Sequence, residues 1–178
     1  MSKKQQGFTL LELMVVLAII ALLAALITPN LIQKIQYAKQ ISTMQDMDTI
    51  AKACLAYAVE HNAAPAAGTQ NGPLSPGNEF IKILTGKYLN SCPATDKWKN
   101  PLIVYSGKAV SGFPGFHESM IGNSDFIIMS YGKKGVDEHF TFDPSNREAG
   151  LFELSDTMAD YDKNLVNWNG VWIRAPKS

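Results

Sequence analysis

Residues 7–16 read GFTLLELMVV, and they open an apolar run with one ionisable side chain, Glu12, close to its start. From residue 8 to residue 27 only Thr9 and Glu12 are polar, and residues 13–27 are uninterrupted. At about 1.5 Å per residue such a run spans about 30 Å, the thickness of a bilayer's hydrocarbon core. It predicts a single transmembrane helix. Lys3 and Lys4 precede it and the next basic residue is Lys34, so the positive-inside rule puts the N-terminus in the cytoplasm and the rest of the chain outside. A secretory signal is the competing reading, with Ala24 and Ala25 as a cleavage site. The run nevertheless continues through Leu26 and Ile27, and its acid lies inside it. An acid at membrane depth costs about 2.5–3.5 kcal/mol on insertion scales, so Glu12 either has a partner or marks a function. Alternatively, it snorkels to the headgroups from the helix end.

The helix is expected to continue from about residue 8 to about residue 60, with Pro29 kinking rather than ending it. Beyond Pro29, apolar side chains recur at Leu31, Ile35, Ala38, Ile41, Met44, Met47, Ala51, Leu55 and Ala58. Steps of three and four make this a one-sided stripe, with Lys34, Gln36, Lys39, Gln40, Gln45 and Asp46 off it. Met44 and Met47 read as core packing.

Residues 61–78, HNAAPAAGTQNGPLSPGN, have the composition of a loop. A short helix is expected over residues 79–84, ended by Gly86. Strand-like runs follow at residues 102–106, 125–130, 139–142, 151–154 and 171–175, punctuated by glycines. Helix first and close strands after it predict an α+β fold, with a small antiparallel sheet laid against the helix. The expected divisions are a leader over residues 1–7, a transmembrane segment over 8–28, an amphipathic helix over 29–60 and a head over 61–178.

Composition narrows the function. Of 178 residues 46% are apolar and 18% charged, with 16 basic and 16 acidic side chains and no net charge. Only Arg147 and Arg174 are arginines. No basic stripe for nucleic acid is present. Phosphate-loop, nucleophile-elbow and zinc-helix motifs are absent. His61, His117 and His139 lack metal-ligand spacing and read as surface or cap residues. Trp98, Phe113, Phe116, Trp168 and Trp172 have no interleaved arginine and read as head core or subunit contacts. Cys54 lies on the inner side of the helix and Cys92 before the first strand. Both fall outside the cytoplasm, where a bridge between them would persist; two separate buried thiols is the alternative.

The segment KKQQGFTLLEL at residues 3–13 resembles the class III signal of type IV pilins and type II secretion pseudopilins. The resemblance implies cleavage by a prepilin peptidase between Gly7 and Phe8 and N-methylation of Phe8. It also implies a filament in which Glu12 of one subunit neutralises the Phe8 amine of a neighbour, so that its charge is satisfied only on assembly. The implied partners are copies of the chain itself, the peptidase, an inner-membrane platform with its ATPase, and minor pilins. The implied location is the inner membrane and then a pilus or periplasmic pseudopilus. No catalysis is implied.

In the head, DKWKNPL at residues 96–102 is similar to the D-x-W-G-N-P-Y segment of major pseudopilins, with Lys99 at the glycine. DFIIMSYG at residues 125–132 resembles their F-x-I-x-S-x-G strand. Where those proteins continue G-x-D-G this chain has Gly132-Lys133-Lys134-Gly135. Their calcium site is therefore not expected, although Asp137, Glu138, Asp143, Asp156, Asp160 and Asp162 follow, with Asp160 and Asp162 the weak candidates. Two other functions stay open: a minor or competence pilin that initiates the filament or contacts DNA, and a membrane-tethered periplasmic binding domain. Without Lys3 and Lys4 the chain has 14 basic and 16 acidic side chains, a poor balance for DNA.

Overall fold

The computed structural model describes residues 7–155 and 157–177, except for the side chains of residues 26–29. They fall in two compact units that meet in sequence between Ile35 and Gln36. Helix α1, Leu10–His61, begins in the first and ends in the second. It is helical through Pro29, but that side chain, and with it the expected kink, lies outside the described residues. Among the described residues no single helix is long and apolar enough to cross a membrane. Leu10–Ala25 and Asn30–His61 meet that test only as a pair.

In the second unit five strands form one antiparallel sheet in sequence order: β1 Asn71–Pro73, β2 Ile103–Ser106, β3 Phe126–Ser130, β4 Leu165–Trp168 and β5 Val171–Arg174. Helix α2, Glu79–Leu84, lies between β1 and β2 and starts at Asn78, whose side chain accepts from the Phe80 amide at 3.1 Å. Side chains on a strand alternate between faces. Val104, Phe126, Ile128 and Leu165 therefore join Met47, Ile50, Ala51 and Cys54 of α1 in one core. Ile103, Ile127, Met129 and Val166 point the other way, into Phe113, Phe116 and Phe142 of the connecting loops. Strand β3 is buried along its whole length. The result is three layers: helix, sheet and an aromatic loop layer.

The predicted α+β architecture is the observed one, with three local differences. The expected loop over residues 61–78 contains β1. Its Gly72 takes φ +123°, a conformation open to glycine and costly for other residues. Strand β4 was not expected. It is joined to β5 by Asn169 and Gly170 at φ 50° and 83°, the backbone of a tight Asn-Gly hairpin turn. The expected strands over residues 139–142 and 151–154 are irregular. His139 sits at φ 57°, off any strand path, and Phe152 makes an isolated bridge with Pro176.

The helix stripe is also rotated from its expected position. The buried face is Gln40, Thr43, Met47, Ile50, Ala51, Ala53 and Cys54, while Leu31, Ile35, Ala38 and Leu55 are exposed. Gln40 and Thr43 are buried because polar loops cover that part of the helix. Gln40 Nε2 donates to the Asp160 carbonyl at 3.4 Å, and Thr43 Oγ1 accepts the Lys97 amide at 3.2 Å.

Candidate assembly site

Gly7 and Phe8, the expected cleavage pair, precede α1 and are exposed, Phe8 at 83%. Residues 1–6, with Lys3 and Lys4, lie outside the described residues. From Leu10 to Leu23 the large apolar side chains of α1 are exposed. At the head of this segment Thr9 is the residue before the first helical turn and Glu12 the third within it. Thr9 N and Oγ1 both donate to Glu12 Oε2, at 2.9 and 2.8 Å, and the Glu12 amide donates back to Thr9 Oγ1 at 3.2 Å. This is a reciprocal capping box, which satisfies amide groups that a helix start otherwise leaves open. The carboxylate thus has hydrogen-bond donors within its own chain, and these neutral groups leave its charge in place. The T-x-x-E spacing of residues 9–12 is the sequence signal for the box. Neither Thr9 bond uses Oε1.

In the head, DKWKN folds around its own acid. Asp96 Oδ1 accepts the amides of Trp98 and Asn100, both at 2.9 Å, and Oδ2 accepts the Ser130 hydroxyl at 2.8 Å. Trp98 Nε1 donates to Gln36 of α1 at 2.7 Å, and Asn100 Nδ2 to the Gly132 carbonyl at 2.7 Å. Lys99 takes φ 74°, the left-handed region that explains a glycine at this place. Gly132, at φ 66°, runs so close to the next segment that a Cβ would stand 2.6 Å from the Tyr161 carbonyl and 2.7 Å from that of Lys163.

Of the acids expected after Gly135, Asp156 lies outside the described residues, while Asp137, Glu138, Asp160 and Asp162 each meet a donor. Asp160 is almost fully buried. It accepts Lys163 Nζ at 2.9 Å, the Ser155 amide and hydroxyl at 2.7 and 2.9 Å, and the Thr157 amide at 3.3 Å. Burial opposes its ionisation, but these donors outweigh burial, and its carboxyl falls to about 2. Asp162 faces Lys133 Nζ at 3.5 Å, Glu138 faces Arg174 Nε at 2.8 Å, and Asp137 accepts Asn164 Nδ2 at 2.7 Å. Asp143 is turned to its own loop, bonding the amide and hydroxyl of Ser145. Asp137, Glu138 and Asp162 line a cavity of about 200 Å³ together with Lys134 and Lys163. Calcium takes six to eight oxygen ligands, and these carboxylates do not fit it. They are held by ammonium, guanidinium and amide groups, and two lysines share the cavity. Among the described residues no cluster of three His, Cys, Asp or Glu has a metal-binding arrangement.

The expected bridge between Cys54 and Cys92 is not formed, and both are free thiols in the helix-side core. The Cys92 sulfur is aimed at the Pro93 carbonyl, 4.0 Å away. Burial pushes both thiols up, Cys92 to about 11 and Cys54 well above the ordinary value. His61 stacks on Tyr57 with ring centres 4.2 Å apart, and His139 is exposed. Phe113 and Phe116 are core residues, while Trp168 and Trp172 pack at the edges of the two clusters.

The model of the prokaryotic N-terminal methylation motif matches residues 2–28. The chain is 28% identical to the type II secretion system core protein G of Vibrio cholerae over 170 residues, 94% of each chain. With the protein of that name from Klebsiella pneumoniae it shares 31% over 140 residues, 76% of this chain and 90% of the other. With that from Escherichia coli (strain K12) it shares 39% over 105 residues, 57% of this chain and 72% of the other. No solved structure matches. A methylation motif at the start of an exposed apolar helix, a helix-on-sheet head and these relatives agree: the chain belongs to the pseudopilin family of type II secretion system core protein G.

Proposed function

We propose that this chain is the membrane-stored subunit of a type II secretion pseudopilus, cut between Gly7 and Phe8 by a prepilin peptidase and methylated on Phe8. It is a structural subunit, not an enzyme. The observation that carries the reading is the exposed apolar face of α1 from Leu10 to Leu23, headed by Glu12 in its capping box. Such a surface is stable only in a bilayer or against other helices. The membrane holds it before assembly, with the N-terminus on the cytoplasmic side, and copies of the same segment replace the lipid in the filament core. Glu12 keeps Oε2 on Thr9 and offers Oε1 to the Phe8 amine of a neighbouring copy, which makes its charge a register mark between subunits. An ATP-driven platform in the inner membrane and minor pilins would supply force and initiation.

The test is co-expression with a prepilin peptidase and an assembly platform. Mass spectrometry is expected to find a chain that begins at methylated Phe8, and electron microscopy of sheared material is expected to find filaments. An intact N-terminus in the presence of active peptidase would refute the reading.

A further inference from the structure

Between β3 and β4 the chain runs for more than thirty residues, with one short 3-10 turn, Met158–Asp162, among those described. A loop this long needs something to hold it. Part of the answer is backbone: the Lys133 amide donates to the Tyr161 carbonyl at 2.7 Å, which ties the start of the loop to its end. The rest is charge. Lys163 places its ammonium 2.9 Å from Asp160 and 4.4 Å above the ring of Phe152. Arg174, from β5, holds Glu138 at 2.8 Å and the Gly150 carbonyl at 3.0 Å, and its guanidinium lies over the rings of Phe140 and Phe152. Lys133 faces Asp162. Three cations thus sit on three acids drawn from both ends of the loop, and Lys134 adds a fourth positive charge to the cavity between them.

We propose that side-chain cations, chiefly Lys163 and Arg174, order this loop in the role a divalent ion would otherwise fill, so that the head is stable without calcium and indifferent to its removal. A metal bridges acids from separate segments by sharing their oxygens. Here Arg174 bridges β5 to the start of the loop, and Lys163 closes its end, each with a charge carried by the chain. A calcium ion entering the cavity would have to displace Lys163 or Lys133 from its acid and accept Lys134 as a neighbour. The inference rests on the head alone and stands or falls independently of cleavage and filament formation.

The experiment uses the full chain in detergent. Thermal melts in millimolar calcium and in excess chelator are expected to coincide within about 2 °C. Lys163→Met is expected to lower the melting temperature by about 3 °C or more in both conditions, and Lys163→Arg by less than half as much. A calcium-dependent rise beyond about 2 °C, or Lys163→Met melting with the wild type, overturns the proposal. Equilibrium dialysis of the wild type against radioactive calcium needs no variant. It is expected to find less than one ion per chain at micromolar free calcium, and stoichiometric binding would overturn the proposal.

Discussion

The Ser130 hydroxyl donates to Asp96 Oδ2 at 2.8 Å, and both residues are buried. Ser130 ends the fully buried strand β3 and Asp96 organises the turn before β2, so this one bond joins the centre of the sheet to the loop that also reaches Gln36 and Thr43 on α1. Removing the acid strands two backbone amides and a hydroxyl in the interior, whereas removing the hydroxyl strands one, the Gly132 amide that donates to Ser130 Oγ at 3.1 Å, and leaves Asp96 its two amide bonds. Asp96→Ala should therefore cost about 3 kcal/mol and Ser130→Ala about 1 kcal/mol. Urea unfolding of both variants and of the pair would check this, with the double variant expected to fall short of the sum.

Lys99 stands in the left-handed region at φ 74°, where a residue with a Cβ bears about 1–2 kcal/mol of strain. Glycine removes that strain but loosens the unfolded chain by about 0.5–1 kcal/mol. Lys99→Gly should raise the urea midpoint by the equivalent of about 0.5 kcal/mol without altering the slope. A lower midpoint would show that the lysine side chain holds the turn in some other way.

Glu12 caps its own helix, and the proposed function gives it a second, separable task, pairing with a neighbour. Thr9→Ala loses the cap and keeps the carboxylate, so it should be processed and still polymerise. Glu12→Leu loses both, so it should be processed and give no filaments. Normal filament yield from Glu12→Leu would reduce Glu12 to a capping residue. Gly7→Val should retain the leader, read as an intact N-terminus by mass spectrometry.

Asp160 ionises at about 2 in the folded chain, below its ordinary 3.8. The folded state thus binds fewer protons than the unfolded state between those values. The resulting stability is present above about pH 4 and is lost as pH falls from there through about 2, on the order of 2 kcal/mol. Asp160→Asn should flatten this part of the stability profile, as measured by urea unfolding between pH 5 and pH 2.

Cys54 and Cys92 are buried, and burial holds them as thiols; the thiolate is the form that reacts. A maleimide reagent at neutral pH should label neither in the native protein within the time that labels both in urea. Failure to label both in urea without reductant would indicate that the pair is bridged.

The start of the chain was readable because its physics is one-dimensional: an apolar run with one acid has few structural solutions. The turn at Lys99 was visible as a glycine position filled by something else. Other features depended on three-dimensional context. Asn71-Gly72-Pro73 has turn composition and is a strand only because β2 lies beside it. Phe140 and Phe142 alternate like a strand, yet their rings complete a cluster with Phe113 and Phe116, and the backbone bends at His139 to deliver them. Gln40 looked like a solvent-facing residue and is fully buried because the loop above it presents a carbonyl. The acids from Asp137 to Asp162 could be counted in the sequence, but their pairing with Lys133, Lys163 and Arg174 could not.

The two outermost strands of the sheet make poor neighbours for a stranger. Strand β1 is three residues long and ends in Pro73, which has no amide to offer. Strand β5 has four residues, and its pairing with β4 slips at Val166 and Asn167. An exposed strand edge is a template for uncontrolled growth. A subunit held at high density along one membrane would jam into sheet aggregates if its head carried such a template. Blunted at both edges, the head is a poor template for extending the sheet from copy to copy, which leaves growth of the proposed filament to the helix.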